Sequence, residues 1–369
     1  MAVQAQNLSY RAFFEHETSR MLFEGALPVD IERIFAQVEE EGAWIKSWKT
    51  LGASEEQKAK EAKRGGFQKT AYTRYIYAAN CYRLAQYHLL QDIPEKQELL
   101  SLSMELYEKA IDLSEPKILK IQIPFHGIKI KGYLHLPNKS SHSPCVICIP
   151  GLGHNKESMH NWCQYGVQRG MAVFCGDGYG YGETRVIQGK RLNIKEFDKY
   201  VEVVIDYLST YSEIEANQIG IIGDSFGGYL AFRAAAMDKR IKGCALVEAI
   251  LEFGQHQLHN NSVPALIIYH LDENEIRFLE KIGSDFYKPE FENTCPIYIV
   301  HAETDKLIPI SLAKNLFNFI KGEKYLKIVN GKTCYNNYFI NHYNTVLDEL
   351  SRCVPDVWDW IGMVLKRTF

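Results

Sequence analysis

The stretch IGIIGDSFGGYLAFRAAAM, residues 219–237, runs from an apolar strand into a helix through a turn rich in glycine. Gly223-Asp224-Ser225-Phe226-Gly227 forms that turn, and Gly228 follows it. A strand before, a helix after and glycines on both sides are what a nucleophile elbow needs. The sharp turn lifts the serine above the sheet edge, and the missing side chains let the flanking backbones approach. Ser225 is therefore the candidate nucleophile.

Working outward, similar short apolar runs recur between helix-like stretches: CVICIP, MAVFCGDG, GCALVEA and PIYIVHAETD. Runs that are apolar throughout suit a mostly parallel sheet covered by helices on both faces, an α/β architecture. Ahead of them, ILKIQIPF and IKIKGYLHLP alternate apolar and polar residues and meet at His126-Gly127, a hairpin signal. Residues 1–116 have a helical texture instead. Ile31, Ile34, Phe35, Val38, Trp44, Ile45 and Trp48 recur at helical intervals, and Gly65-Gly66 breaks the following charged helix. Next come an aromatic-rich helix carrying Tyr75 and Tyr82 and a further one ending at Pro116; no 34-residue period recurs, which argues against a helical repeat array. The expected organisation is a helical N-terminal cap over 1–116 and a catalytic domain over 117–369. A helical insertion interrupts the latter at about 251–293, and DVWDWIGMVLK closes the chain as an amphipathic helix.

The chain has 369 residues, 46% hydrophobic and 24% charged, with a net charge of −3. That composition fits a globular protein with a sizeable core and gives no electrostatic reason to expect nucleic acid as partner. No run reaches the roughly 18 uncharged apolar residues of a membrane span, and the N-terminus lacks the basic start and apolar run of a secretory signal. Nine cysteines without framework spacing suit a reducing compartment, so the cytoplasm is expected. Cys145 and Cys148 read as buried strand residues, since no second pair completes a metal site. The GxGxG spacing in Asp177–Glu183 lacks the phasing of a dinucleotide loop. Neither metal nor cofactor is expected.

A serine hydroxyl needs a base, and the base needs an orienting acid, in chain order Ser, Asp, His. Asp305, just past the strand PIYIVHA, is the candidate acid, with Glu303 as runner-up; His301 reads as a packed strand-end residue. The one histidine after Asp305 is His342, so it is the candidate base, although it comes late. Lys332-Thr333-Cys334 occupy the loop after KYLKIVNG, where the base is usually found. Oxyanion donors are expected from the backbone N–H of Phe226 and from the loop Pro150-Gly151-Leu152-Gly153-His154, with Leu152 the best candidate. Gly153 and His154 are candidate substrate contacts; a solvent-facing loop histidine is the alternative for His154. Tyr72, Tyr75, Trp162 and Tyr179 are candidate lining residues of an apolar cleft, with packing of cap against core as the competing role.

These residues resemble one branch of the α/β-hydrolase superfamily, which includes the FrsA-like esterases, 2,6-dihydroxypseudooxynicotine hydrolase and hydrolases that shorten polyketide chains. The marks are GFQKTAYTRYIYAANCYRLAQY, IQIPFHGIKIKGYLHLP, PGLGHNKES, DGYGYGE, GDSFGGYLAFRAA and the DWIG end helix. The resemblance implies an α/β-hydrolase fold with an N-terminal helical domain roofing the pocket. It implies a triad of Ser225, Asp305 and a histidine, and a homodimer. The implied activity is cleavage of an ester, or of a C–C bond next to a ketone, in an aromatic or polyketide-like small molecule that a carrier protein could deliver. Two departures stand out: Gly153 where C–C hydrolases of the branch can carry an acid, and Thr333 near the expected histidine. A lost base would instead imply a cyclase-like or ligand-binding protein on the same scaffold.

Overall fold

The computed structural model describes residues 18, 20–38, 41–138, 142–250, 267, 269–277, 291, 295–303, 305, 308–329 and 350–366. His342, Thr333 and most of the insertion expected at 251–293 lie outside these residues.

Helices come first: α1 (Pro28–Phe35), α2 (Glu41–Arg64), α3 (Gln68–Tyr87) and α4 (Pro94–Ile111). The helical periodicity from Ile31 to Trp48 thus spans two helices, because the backbone leaves the helix after Phe35 and re-enters at Glu41. Helix α2 ends at Gly65-Gly66, where Gly66 has φ 78°. Proline at the first helical position starts α1 and α4, where its missing N–H costs nothing. Trp44 and Trp48 are fully buried at the centre, and Trp44 Nε1 donates to the Leu84 carbonyl at 2.9 Å.

The hairpin then forms as β1 (Ile118–Phe125) and β2 (Ile128–His135), antiparallel in register. Its two-residue turn has φ 43° at His126 and φ 80° at Gly127, the left-handed pair whose twist matches the strands. The remaining elements are β3 (Ser143–Ile149), α5 (His160–Val167), β4 (Ala172–Gly176), α6 (Gly182–Val186), α7 (Ile194–Leu208), β5 (Ile214–Asp224), α8 (Phe226–Met237), β6 (Ile241–Val247), β7 (Ile297–Ala302), α9 (Ile310–Phe319), β8 (Lys324–Val329) and α10 (Leu350–Lys366).

The eight described strands form one sheet ordered β1-β2-β4-β3-β5-β6-β7-β8. From β4 onward every pairing is parallel, and β2 joins β4 antiparallel. Alternate residues feed two core layers: Cys145, Ile147 and Ile149 face α7 and α8, while Val146 and Cys148 face α5 and α10. Cys145 and Cys148 therefore lie on opposite faces and cannot share a metal. On α10, Val354, Val357, Trp358, Ile361 and Leu365 form the buried stripe. It seats closely because Gly166 and Gly220 carry no side chains; a Cβ there would stand 2.5 Å from Trp358 and 2.8 Å from Ile361. This layering brings the carboxyl ends of β3, β5, β6 and β7 side by side at one edge, where ligands bind in open α/β sheets.

Candidate active site

Ser225 sits between β5 and α8 with φ 51° and ψ −121°, a backbone conformation that L residues avoid. The turn is held from several sides. Ser225 N donates to Val247 O at 2.9 Å, and the Ser225 carbonyl accepts from Gly228 N and Ile250 N, each at 3.0 Å. The glycines are obligatory. A Cβ on Gly223 would stand 2.2 Å from Gly227 O, one on Gly227 would stand 2.3 Å from Ile149 O, and one on Gly228 would stand 2.5 Å from Ala249 Cβ.

The loop after β3 is tied to the same turn. Gly151 N donates to Asp224 Oδ1 at 2.9 Å, and His154 N donates to Gly151 O at 3.2 Å. With Gly151 N engaged, Leu152 carries the next backbone N–H along the loop. Gly153 turns the chain with φ 89°, a conformation open to glycine. His154 does not face solvent: it is buried at 4% exposure against the N-terminal helical region. Its Nδ1 lies 3.0 Å from Glu24 Oε1, and its Nε2 contacts the Arg20 guanidinium and, at 3.1 Å, the Tyr87 hydroxyl. Burial and the Arg20 charge lower its pKa to about 4, so the ring is neutral. Burial alone would raise Glu24, but Arg83, His154 and Arg20 bring it down to about 2.

Asp305 follows β7, with its side chain shut off from water. Its Oδ1 accepts the Ile308 N–H at 2.8 Å, which closes the loop before α9. Glu303, the other acid in this loop, is exposed. His301 packs beneath the loop: its Nε2 donates to Ile308 O at 2.7 Å and lies 3.9 Å from Asp305 Oδ2.

The four aromatic candidates are spread over separate packing environments. Tyr75 is buried in the helical core, and Tyr72 packs beside it with its hydroxyl 3.1 Å from His160 Nε2. Trp162 belongs to the layer under α10, edge-on to Phe23 at 5.4 Å. Tyr179 packs edge-on against Phe125 at 5.6 Å. Each of the four thus makes packing contacts with its neighbours.

Three residues escaped the sequence reading. Arg20 and Glu24 lie in the N-terminal helical stretch, where no motif marks either one. Glu248, at the carboxyl end of β6, is buried at 1% with φ 44°. Burial and the Asp305 charge push its carboxyl well above the usual range. An acid ending an apolar strand at the same sheet edge was its one available signal. Among the described residues no cluster of three histidine, cysteine or acidic side chains could hold a metal ion, and no helix is long and apolar enough to cross a membrane.

The profile of the esterase FrsA-like family matches residues 37–268. The chain is 30% identical over 219 residues to alpha/beta hydrolase gkaG of Penicillium citrinum, covering 56% of this chain and 51% of that protein. It is 26% identical over 299 residues to 2,6-dihydropseudooxynicotine hydrolase of Paenarthrobacter nicotinovorans, covering 80% of each. The crystal structure of the 2,6-dihydroxy-pseudo-oxynicotine hydrolase superposes with a TM-score of 0.80 over 94% of this chain and 95% of that one, at 24% identity, a likeness of fold. The chain thus spans about half the length of the Penicillium relative and most of the bacterial one. With the family profile covering more than half of the sequence, and hydrolases as its relatives, the chain is a member of the FrsA-like esterase family of α/β-hydrolases.

Proposed function

We propose that the protein is a serine-nucleophile hydrolase in which Ser225 attacks the carbonyl of a small aromatic or polyketide-like substrate. The observation that carries this reading is the strained turn at Ser225, with the loop of Leu152 bonded to that turn through Asp224 and Gly151. A strained backbone braced by three backbone hydrogen bonds is the signature of a group presented for reaction. Ser225 Oγ adds to the carbonyl carbon and gives its proton to the base, for which His342 is the candidate. Asp305, buried after β7, orients and offsets the imidazolium. The N–H groups of Leu152 and Phe226 stabilise the oxyanion. Collapse breaks the bond to the leaving group, an alkoxide from an ester or an enolate from a β-dicarbonyl, which takes the proton back from the base. Water then releases the acyl group from Ser225.

A fluorophosphonate probe tests the reading. Labelling of the wild type that is lost in Ser225→Ala supports it, and turnover of an aryl ester and β-diketone panel, followed by product mass spectrometry, separates C–O from C–C cleavage. A wild type that neither takes the label nor turns over any of the panel overturns it in favour of a ligand-binding or cyclase role.

A further inference from the structure

A continuous chain of polar contacts runs from the helical domain to the nucleophile turn. On α3, Asn80 Oδ1 accepts from Arg83 Nε at 3.0 Å, and Asn80 Nδ2 donates to the Glu24 carbonyl at 3.2 Å. The Arg83 guanidinium also pairs with the Glu24 carboxylate. Glu24 in turn holds His154 Nδ1, and His154 Nε2 meets Arg20. Arg20 Nη2 then lies 3.4 Å from Asp224 Oδ2, while the other oxygen of Asp224 accepts Gly151 N at 2.9 Å. Every member of this chain is largely excluded from water: the side chains of Arg20, Glu24, His154 and Arg83 are each at most 7% exposed, and that of Asp224 is 12% exposed.

The chain grips the loop Gly151–His154 at both ends. Asp224 holds the start and Arg20 with Glu24 holds the end, so Leu152 is suspended between two anchors. An oxyanion donor must sit about 2.7–3.1 Å from the oxygen it stabilises, and a displacement of an ångström forfeits most of its effect. We propose that Arg20, acting through Asp224 and His154, is a positioning residue that fixes the oxyanion loop relative to Ser225. The segment around Arg20, with α3 behind it, then sets the rate of the chemical step. The proposal rests on reading Ser225 as the nucleophile and Leu152 as a donor.

The test uses the full chain and measures the rate of fluorophosphonate labelling together with kcat and KM for an aryl ester. Arg20→Gln and Asp224→Ala should each slow labelling and kcat ~10- to 100-fold, short of the ~100- to 1000-fold loss expected when a donor itself is deleted. KM should stay within about twofold, because the substrate is bound but its oxyanion is not. The double variant should lose less than the product of the two single losses, since Arg20 acts in part through Asp224. In Arg20→Ala, millimolar guanidinium should restore part of the rate by occupying the vacated space, which a merely structural defect would not allow. Circular dichroism melts establish that each variant is folded at the assay temperature. Asp224→Asn, isosteric and still able to accept from Gly151 N, serves if the alanine variant is not folded, and should show a smaller loss. Wild-type rates in Arg20→Gln and in the folded Asp224 variant overturn the proposal, as do losses that multiply in the double variant. Full turnover in Ser225→Ala would overturn the underlying reading of the site, a distinguishable outcome.

Discussion

Lys156 Nζ lies 2.7 Å from Asp177 Oδ2, and both side chains are shut off from water. The pair joins the loop after β3 to the loop after β4. Asp177 also accepts the backbone N–H of Lys156 at 2.8 Å and of Glu183 at 2.9 Å, so one carboxylate organises both loops. Burial works against the lysine charge, but Asp177, Glu157 and Glu183 outweigh it and hold the ammonium protonated. Removing one partner would leave the other charge stranded. Lys156→Met should therefore cost ~3–5 kcal/mol of stability in urea unfolding, whereas replacing both partners with apolar residues should cost less. A single variant that unfolds at the wild-type midpoint would show that the pair contributes little.

The backbone at Ser225 leads to a second expectation. A residue held at φ 51° and ψ −121° costs on the order of 1–3 kcal/mol, and glycine escapes most of that cost. Ser225→Gly and Ser225→Ala should both abolish labelling, but the glycine variant should be the more stable by ~1 kcal/mol, read from paired thermal melts. Equal stabilities would mean that the turn is less strained than its dihedrals indicate.

The elbow, the hairpin and the sheet were legible because each is written in neighbouring residues. Gly223 to Gly228 encode a local turn, and His126-Gly127 encodes another. The buried run at Ile219–Gly223 records two covered faces. The loop network was not legible for the opposite reason. Arg20 and Asp224 are 204 positions apart, and neither sits in a pattern that announces the other. His154 carried only a loop context, so its burial against the helical domain could not be foreseen. The aromatic residues are ambiguous in the same way. Composition leaves cleft lining and packing open for Tyr75 and Trp162, and only tertiary packing places them in buried clusters. Asp305 and Glu303 could be ranked from sequence, and it is their burial that now separates them physically.

His301 and His342 can be told apart by experiment. His301 spends its Nε2–H on Ile308 O, which braces the loop of Asp305. Substituting His301→Phe leaves that buried carbonyl without its donor and should cost ~1–3 kcal/mol in stability. Labelling of Ser225 should slow less than ~10-fold at a temperature where the variant is folded. His342→Ala should instead lose labelling by ~1000-fold or more, the scale seen when a triad member is removed. A folded His301 variant that loses labelling while His342→Ala keeps it would transfer the role of base to His301.

Buried neutral histidines set the acid limb of stability. His160 is wedged between the Tyr107 hydroxyl, 2.8 Å from Nδ1, and the Tyr72 hydroxyl, 3.1 Å from Nε2. Burial, with a smaller effect of His135, lowers its pKa to about 3. His270, whose Nδ1 lies 2.7 Å from Gly180 O, is lowered to about 3 by its burial. The unfolded chain binds a proton at each histidine below about pH 6.5, while the folded protein resists until about pH 3. In that window the unfolded state carries more protons, so stability falls as pH falls, by up to ~1.4 kcal/mol per pH unit for each histidine. Glu24, depressed to about 2, adds to the loss below the unfolded carboxylate value of 4.5. Glu248 acts with the opposite sign: its raised pKa favours folding in acid, and that contribution fades as pH rises through its folded value. Between pH 5 and 6 Glu24 is ionised in both states, and the lowered histidines His160, His270 and His154 outnumber the one opposing carboxyl of Glu248. Urea unfolding across this range should show a stability rising with pH, and His160→Gln should remove about one proton from the slope. A slope unchanged in that variant would mean that His160 is protonated in the folded protein and that the two tyrosine hydroxyls accept from its ring.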